Sequence, residues 1–477
     1  MNRMIIDSMY SQIQVVIMHG NDLEYYFIEK ETDWNNYGDI YMGRVEQIKP
    51  GIQGAFINIG QEKNALLHVA DIITNPEELP IDKILKQGQE LVVQIKKEAV
   101  GEKGGRLTTK FSISGHFLVL LPTENKIFIS KKIKDEEEEK RLKKGLDKIK
   151  PQDCGMIIRT EAMGVAMETL QREFMHLFKS WKKINQIEKA PKLLFKDENI
   201  VFKSVRDYYS NQLDEIVVND PNIIEDLKEY FNVYFPGDIP KIKYQPDENL
   251  LESYHVNHKI DQLCNRKIWL KSGGHIVIDY TEAFTVIDVN SGKFTGNKNL
   301  NETVLKINLE ATDVIANQIR LRNISGIILV DYINVEREKD QKMILQRWTQ
   351  LLTKDKVKTK IVGFTQLCIL QITRKQQGKS LHKLNYEGCH LCEGTGLIPT
   401  QETLFYQCLK LVEHQKQFIE NKKVTVKVSP FLRSVIREIE TYNNQYTFIQ
   451  MLYDIYKIKI VLEEDAFLKG TEIKVAP

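Results

Sequence analysis

The sequence predicts a multidomain protein that combines β and α/β units, and three observations lead there. Its 477 residues exceed what one hydrophobic core usually organises, which suggests roughly three to four compact units. Short strand-like runs follow one another from Gly38 to about Lys110, as in a small barrel. From Gly273 onward, strands alternate with helix-length segments, which argues an α/β sheet that is at least partly parallel. Composition agrees: 42% hydrophobic and 28% charged residues are ordinary for a globular chain and speak against a disordered or membrane-embedded one. No apolar run approaches the roughly 20 residues of a spanning helix, and the opening residues alternate without the apolar core of a signal peptide. A cytoplasmic location is expected. The net charge of +2 gives no global argument for nucleic-acid binding, so any such footprint must be local.

Taken in order, residues 1–34 alternate in strand fashion around Gly20-Asn21 and read as a hairpin. The barrel region then runs through DIYMGRVEQI, a Pro50-Gly51 turn, GAFINIG, ALLHVADI and ELVVQIKK. The charge-dense segment Lys131–Lys150 reads as a solvated helix laced with i,i+4 pairs, and no function is assigned to it. Residues 165–188 and 211–234 read as helices with strands between, the piece Cys154–Thr160 being the clearest strand. After Gly273 come HIVIDYT, AFTVIDVNSG, a helix from about Leu300 to Arg322, the strand IILVDYI, a helix near Glu336–Lys354 and the strand KIVGFT. In the first of those helices Val304, Ile307, Ala311, Val314, Ile315 and Ile319 recur at helical spacing and are expected to face the sheet. A last unit holds a helix over Thr403–Ile419 and the alternation VTVKVSP.

Two acids interrupt this apolar pattern. On FTVIDVN, period two groups Phe284, Val286, Asp288 and Asn290 on one side; on IILVDYI it groups Leu329, Asp331 and Ile333. Carboxylates in apolar strands are expensive unless partnered. Ligands of α/β sheets usually bind beyond the carboxyl ends of strands, and two carboxylates with an amide oxygen suit Mg²⁺ or Mn²⁺. Pattern alone leaves a second reading open, in which each aspartate caps a turn or pairs with an arginine such as Arg320 or Arg322. Asp279 is either a third acid or a structural one, and its setting favours the structural role. The chain lacks a G-x-S-x-G elbow, a phosphate-binding Walker loop and an H-E-x-x-H helix, which leaves metal-assisted hydrolysis.

Of six cysteines, Cys154, Cys264, Cys368 and Cys408 are scattered, whereas Cys389 and Cys392 form a C-x-x-C followed by glycines. That spacing reads as a zinc knuckle, not as part of a disulfide framework. One knuckle gives two ligands of four, so either Cys408 with His390 or His382 completes the site, or a second chain does.

The segments GGHIVIDYTEAFTVIDVNSGKFTG and NLEATDVIANQIRLRNISGIILVDYI resemble the catalytic core of ribonucleases E and G, and the likeness extends over nearly the whole chain. By that resemblance, Asp288 and Asp331 are the family's Mg²⁺-binding aspartates and Asn290 its supporting asparagine. The implied activity is endonucleolytic hydrolysis of single-stranded, A/U-rich RNA, leaving 5′-phosphate and 3′-hydroxyl ends, in rRNA and tRNA processing and mRNA decay. The resemblance also implies an S1, OB-type barrel whose RNA contacts fall on Phe56 and Lys103; Leu66 stands where ribonuclease E has a second aromatic. A pocket for a 5′-monophosphate would comprise Gly115, Val119, Arg159 and Thr160, with Lys358 replacing an arginine of ribonuclease E and losing its bidentate fork.

The implied domains are a ribonuclease-H-like unit from 1–35 and 204–263, the S1 domain 36–110, a 5′-phosphate sensor region 111–203, a deoxyribonuclease-I-like catalytic domain 264–385, a zinc link 386–398 and a small α+β domain 399–477. The resemblance makes the zinc shared between two subunits through Cys389 and Cys392 of each, hence a homodimer and possibly a higher oligomer. No long basic or Pro-rich extension follows, so the short ribonuclease G form is expected rather than one that scaffolds a degradation complex. The rival reading is a non-catalytic RNA-binding protein, which would bind with strong salt dependence and never cut.

Overall fold

A computed structural model describes residues 1–30, 37–73, 79–99, 104–184, 189–210, 212–246, 249–292, 300–389, 392, 394–400, 403, 407, 410, 423–433, 457, 459–468 and 472–476. The chain divides into two units, Met1–Leu384 and Asn385–Pro477.

In the first unit the opening hairpin forms as its turn residues dictate. Gln12–His19 pairs antiparallel with Asp22–Lys30 around Gly20, which adopts φ +61°. Asn2–Met9 joins the other edge of Gln12–His19 and runs parallel to Glu215–Val218, with Ile242–Tyr244 outermost, giving a five-stranded sheet. Asp220 caps the helix Pro221–Tyr234 by accepting the Asn222 and Ile223 N–H groups, and proline at the first helical position suits the turn. That helix buries Leu227 and Phe231 against the sheet.

The barrel closes. Strands Ile40–Lys49, Gly54–Asn58, Ala65–His68, Arg106–Thr108 and Glu90–Lys97 pair in that order, and Glu90–Lys97 pairs back onto Ile40–Lys49. Alternate residues fill its inside, among them Val45, Ala55, Ile57, Leu67, Val93 and Leu107. This closed five-stranded mixed β architecture agrees with an OB-like fold.

A four-stranded sheet follows, in the order Ile127–Ile129, Gly155–Ile158, Leu118–Leu121, Ile113–Ser114. The helices Glu136–Asp147 and Met167–Ile184 bury Leu142, Leu146, Leu170 and Phe174 in the same core. The charge-dense segment is thus a helix, capped by Asp135, with an apolar stripe of two leucines under its solvated face.

The α/β sheet is mixed, in the order Lys267–Trp269, His275–Tyr280, Phe284–Asn290, Gly326–Asp331, Ile369–Arg374, Thr359–Phe364. Phe284–Asn290 and Gly326–Asp331 are parallel and joined through the helix Leu300–Leu321; the other neighbours are antiparallel. Ile307, Ala311, Ile315 and Ile319 of that helix are buried on one face of the sheet, as their spacing predicts, while Val304 and Val314 are half-buried. The helix Glu338–Leu352 adds Ile344 and Trp348 to the same core. Helices therefore cover one face. Among the described residues no layer covers the other.

In the second unit Lys423–Val428 lies between Lys459–Glu464, parallel, and Ile473–Ala476, antiparallel. The helix expected over Thr403–Ile419 falls largely outside the described residues.

Candidate active site

Residues Thr285, Ile287 and Val289 point into the core, so Phe284, Val286, Asp288 and Asn290 face the open side, as counted from the sequence. On the neighbouring strand Ile328 and Val330 are buried and Asp331 faces out. Register brings the two acids together: Asp288 and Asp331 are direct partners across the parallel pair. Both carboxylates lie at the carboxyl ends of their strands on one face. Both are also exposed, which corrects the expectation that they sit in apolar surroundings; their desolvation cost is small because no layer among the described residues covers that face.

The alternative partners do not reach them. Arg320 donates to the Glu24 carbonyl and to Asn317, and Arg322 to Gln318 and the Asn265 carbonyl. Asp288 accepts from the Asn290 amide at 2.7 Å, and among the described residues Asp331 makes no ion pair. Asp279, by contrast, is clamped by Nε and Nη2 of Arg266 at 2.5 and 2.8 Å, the structural role its setting favoured.

The helix Leu300–Leu321 positions this edge through polar side chains that the apolar count had passed over. Asn308, almost fully buried, donates to the Ile333 carbonyl at 2.8 Å and accepts the Ile333 N–H at 3.2 Å. Thr312 and the Trp348 indole N–H both meet the Tyr332 hydroxyl, at 2.8 and 2.9 Å. The chain on the carboxyl side of Asp331 is thus tied at two successive residues. Glu310 accepts the N–H groups of Lys271 and Ser272, fixing the hairpin beside Asn290. Beyond Asn290 the chain turns at Gly292, φ +61°, where a Cβ would lie 2.4 Å from the Gly273 carbonyl oxygen, so a side chain would separate the two loops.

Two in-register carboxylates and an amide are hard oxygen donors, and Mg²⁺ is commonly bound by one or two carboxylates with waters completing its shell. Among the described residues no group of three or more His, Cys, Asp and Glu gathers anywhere. Beyond these donors, the described residues leave a cation here to complete its shell with water or a bound phosphate.

On the barrel, Phe56 is half-buried on the outer surface, directly opposite Leu66, with Ala55 and Ile57 inside. It is therefore not a core aromatic. Leu66 pairs in turn with Arg106, whose guanidinium is held at 2.9 Å by Asp71. Lys103 lies outside the described residues.

The phosphate-pocket candidates do converge. Arg159 donates to the Gly115 carbonyl at 2.9 Å and to Asp207 at 2.7 Å. Thr160 shares a hydrogen bond with Ser130 at 2.9 Å, and Val119 lies one strand over, paired with Ser114 and Ile157. The Gly115–Phe117 turn is held from behind by the buried Glu173, which accepts the His116 and Phe117 N–H groups. Burial pushes Asp207 up, but Arg206 and Arg159 outweigh it and hold the carboxyl down at about 2. Lys356 reaches this cluster, bonding the Asp207 carbonyl and Glu161 at 3.3 Å. Lys358 is exposed, and its side chain makes no ion pair among the described residues.

In the second unit, Cys389 is exposed and Cys392 half-buried, and among the described residues neither forms a disulfide. Thr395 closes the turn by donating from N–H and hydroxyl to the Cys392 carbonyl at 2.8 and 2.7 Å, and Gly394 and Gly396 take φ of +88° and +70°. His390 and Cys408 lie outside the described residues.

The chain thus combines a closed β barrel with an α/β sheet that carries two in-register carboxylates at one edge, an arrangement compatible with a hydrolase acting on a phosphodiester. The comparisons with known proteins narrow it. Residues 112–377 match the profile of the ribonuclease E/G family. The chain is 34% identical over 447 residues to ribonuclease G of Salmonella typhimurium, covering 91% of each protein, and 33% identical over 448 residues to ribonuclease G of Escherichia coli K12, covering 91% of this chain and 92% of that one. It is 36% identical over 403 residues to ribonuclease E of Nostoc, covering 80% of this chain and 58% of that longer protein. The chain belongs to the ribonuclease E/G family and is an enzyme of its endoribonuclease class, with the extent of ribonuclease G. No helix among the described residues is long and apolar enough to cross a membrane.

Proposed function

We propose that this protein is a Mg²⁺-dependent endoribonuclease acting on single-stranded, A/U-rich RNA, with Asp288 and Asp331 as the metal-binding pair. The observation that carries this is their register: two exposed carboxylates opposite one another at the carboxyl ends of adjacent parallel strands. Bound there, Mg²⁺ supplies Lewis acidity toward a phosphoryl oxygen and lowers the pKa of water. Asn290 orients Asp288 through its amide, and Asn308 and Thr312 hold the chain behind Asp331. The reaction is hydrolysis: a water oxygen bonds to phosphorus, the bond to the 3′ oxygen breaks, and that oxygen takes up a proton. The products carry 5′-phosphate and 3′-hydroxyl ends.

The barrel reads as an S1 domain that grips the strand through Phe56 and Lys103, with Leu66 in place of a second stacking ring. Arg159 and Thr160, framed by Gly115 and Val119, suit a 5′-monophosphate, since guanidinium and hydroxyl donors match its oxygens. The five-stranded sheet reads as ribonuclease-H-like, the mixed sheet as deoxyribonuclease-I-like, and the Cys389/Cys392 turn as half of a zinc site shared between two subunits. In the cell this enzyme would serve rRNA and tRNA processing and mRNA decay.

The experiment is cleavage of a labelled, 5′-monophosphorylated single-stranded RNA by the native protein and by the double variant Asp288→Asn, Asp331→Asn. Internal cuts by the native protein alone, abolished by EDTA, support the reading. Tight binding by both without cleavage at any Mg²⁺ concentration rejects it in favour of an RNA-binding protein.

A further inference from the structure

The open face of the mixed sheet holds more than the carboxylates. Lys267–Trp269 is its edge strand, and Trp269 is 64% exposed, unusual for so large a ring. Ile268 packs into the core, so Lys267 and Trp269 point the other way. Register then carries the row across the sheet: Trp269 opposes His275, and His275 opposes Asn290. One row along, Lys267 opposes Val277, Val277 opposes Asp288, and Asp288 opposes Asp331. The indole thus shares its face with the candidate metal site and stands two strands from Asn290, roughly 10 Å at ordinary strand spacing. The base attached to a phosphate at the carboxylates, or the base next to it, can span that gap.

The ring is also prepared for a partner. The Lys267 ammonium lies 4.0 Å from the indole centroid, and the His275 ring flanks it at 5.2 Å. Lys267 is itself exposed, so its long side chain can leave the ring and meet a phosphate when a base arrives. The platform is fixed rather than mobile: Leu270 accepts the Gly273 N–H at 3.0 Å and donates to the Gly274 carbonyl at 2.8 Å, and Glu310 anchors the tip of the same hairpin.

We propose that Trp269, with Lys267, forms a base-stacking subsite for a nucleotide flanking the bond that is cut. A cation beside an exposed aromatic ring is the combination that grips single-stranded nucleic acid by stacking plus charge. The stack is sequence-tolerant, since every base has a π face. The subsite works in concert with the barrel, holding the strand close to the reacting phosphate. This inference rests on the endoribonuclease reading.

The test scans one abasic nucleotide through a short RNA with a single cleavage site, against native protein, Trp269→Ala and Trp269→Phe. Native protein is expected to lose about tenfold or more in kcat/KM when the abasic position flanks the cut, as loss of one stacked base typically costs. Trp269→Ala should show a similar loss with intact RNA and no further penalty at that position, and Trp269→Phe should retain most of the native behaviour. The same abasic penalty in native protein and Trp269→Ala overturns the proposal while leaving the nuclease intact. A second arm needs no cleavage: intact RNA bound to the Asp288→Asn, Asp331→Asn double variant should quench tryptophan fluorescence, and an added Trp269→Phe should remove that quench. If the native protein never cuts, the nuclease reading fails, and this arm alone decides the stack: persistence of the quench without Trp269 refutes it.

Discussion

Replacing Asp331 by asparagine should stabilise the metal-free sheet and destabilise the metal-loaded one, and this change of sign separates a metal ligand from a structural acid. The two carboxylates sit on in-register residues of adjacent strands, hence at roughly 4.8 Å spacing, and both are exposed. In water two like charges at that distance repel by about 0.9 kcal/mol, falling to about 0.5 kcal/mol at physiological ionic strength. Asparagine removes the repulsion and, because Asp331 has no ion pair among the described residues, breaks none. With Mg²⁺ at a hundred times its dissociation constant, the native protein should gain about 2.7 kcal/mol, a gain the variant forgoes.

The suitable assay is hydrogen exchange at amides of Phe284–Asn290 and Gly326–Asp331, because it reads the opening free energy of this sheet and not that of the barrel or the second unit. Protection should rise slightly in metal-free Asp331→Asn at low salt, and Mg²⁺ should raise protection in native protein alone. A loss of more than about 1 kcal/mol without metal, larger than the worked repulsion, would show that Asp331 holds the fold together. Equal Mg²⁺ protection of both proteins would place the ion elsewhere.

Three further outcomes follow from the surrounding structure. Arg159→Leu should lower the ratio of kcat/KM for 5′-monophosphorylated over 5′-hydroxyl RNA by about tenfold or more, the usual worth of a charge-assisted hydrogen bond; equal losses on both substrates would mean that Arg159 serves only the Gly115 and Asp207 contacts. Burial pushes the Glu173 carboxyl up from its ordinary 4.5 to about 7. The folded state therefore holds this proton over a range where the unfolded state has released it, so the stability from Glu173 is complete below about pH 4.5 and lost as pH rises through about 7. Glu173→Gln should flatten that slope in amide protection of Leu118–Leu121, and an unchanged slope would assign it to another group. Replacing Cys389 and Cys392 together by serine should convert a dimer to a monomer on gel filtration, as should zinc removal by a strong chelator; a zinc-free dimer would refute the shared site.

Local rules accounted for much of the fold. The Gly20-Asn21 hairpin, the helix beginning at Leu300 and the strand before Asp331 all follow from turn chemistry and periodicity. Contacts distant in sequence did not reveal themselves that way. The pairing of Asn2–Met9 with Glu215–Val218 joins segments that nothing in either run specifies for the other. Lys356 reaches Glu161 across a similar separation, whereas the family resemblance points to Lys358. Counting only apolar positions also hid Asn308 and Thr312, because a buried amide or hydroxyl in a helix looks like a surface residue until its partner is known.

The candidate site was half legible, and the reason is geometric. Period two correctly grouped Asp288 with Asn290 and separated both from Thr285, Ile287 and Val289. It could not say which side was covered, and the runs of Ile and Val suggested burial for the acids too. Trp269 lies on a strand of only three residues, and only pairing shows that it and His275 continue the row through Asn290. What the helix-length gap between Asn290 and Gly326 does fix is direction. A crossover returns the second strand parallel to the first, so both carboxyl ends reach the same edge of the sheet. A hairpin of the same two segments would have sent them to opposite edges, and two aspartates near the ends of their strands would never have met.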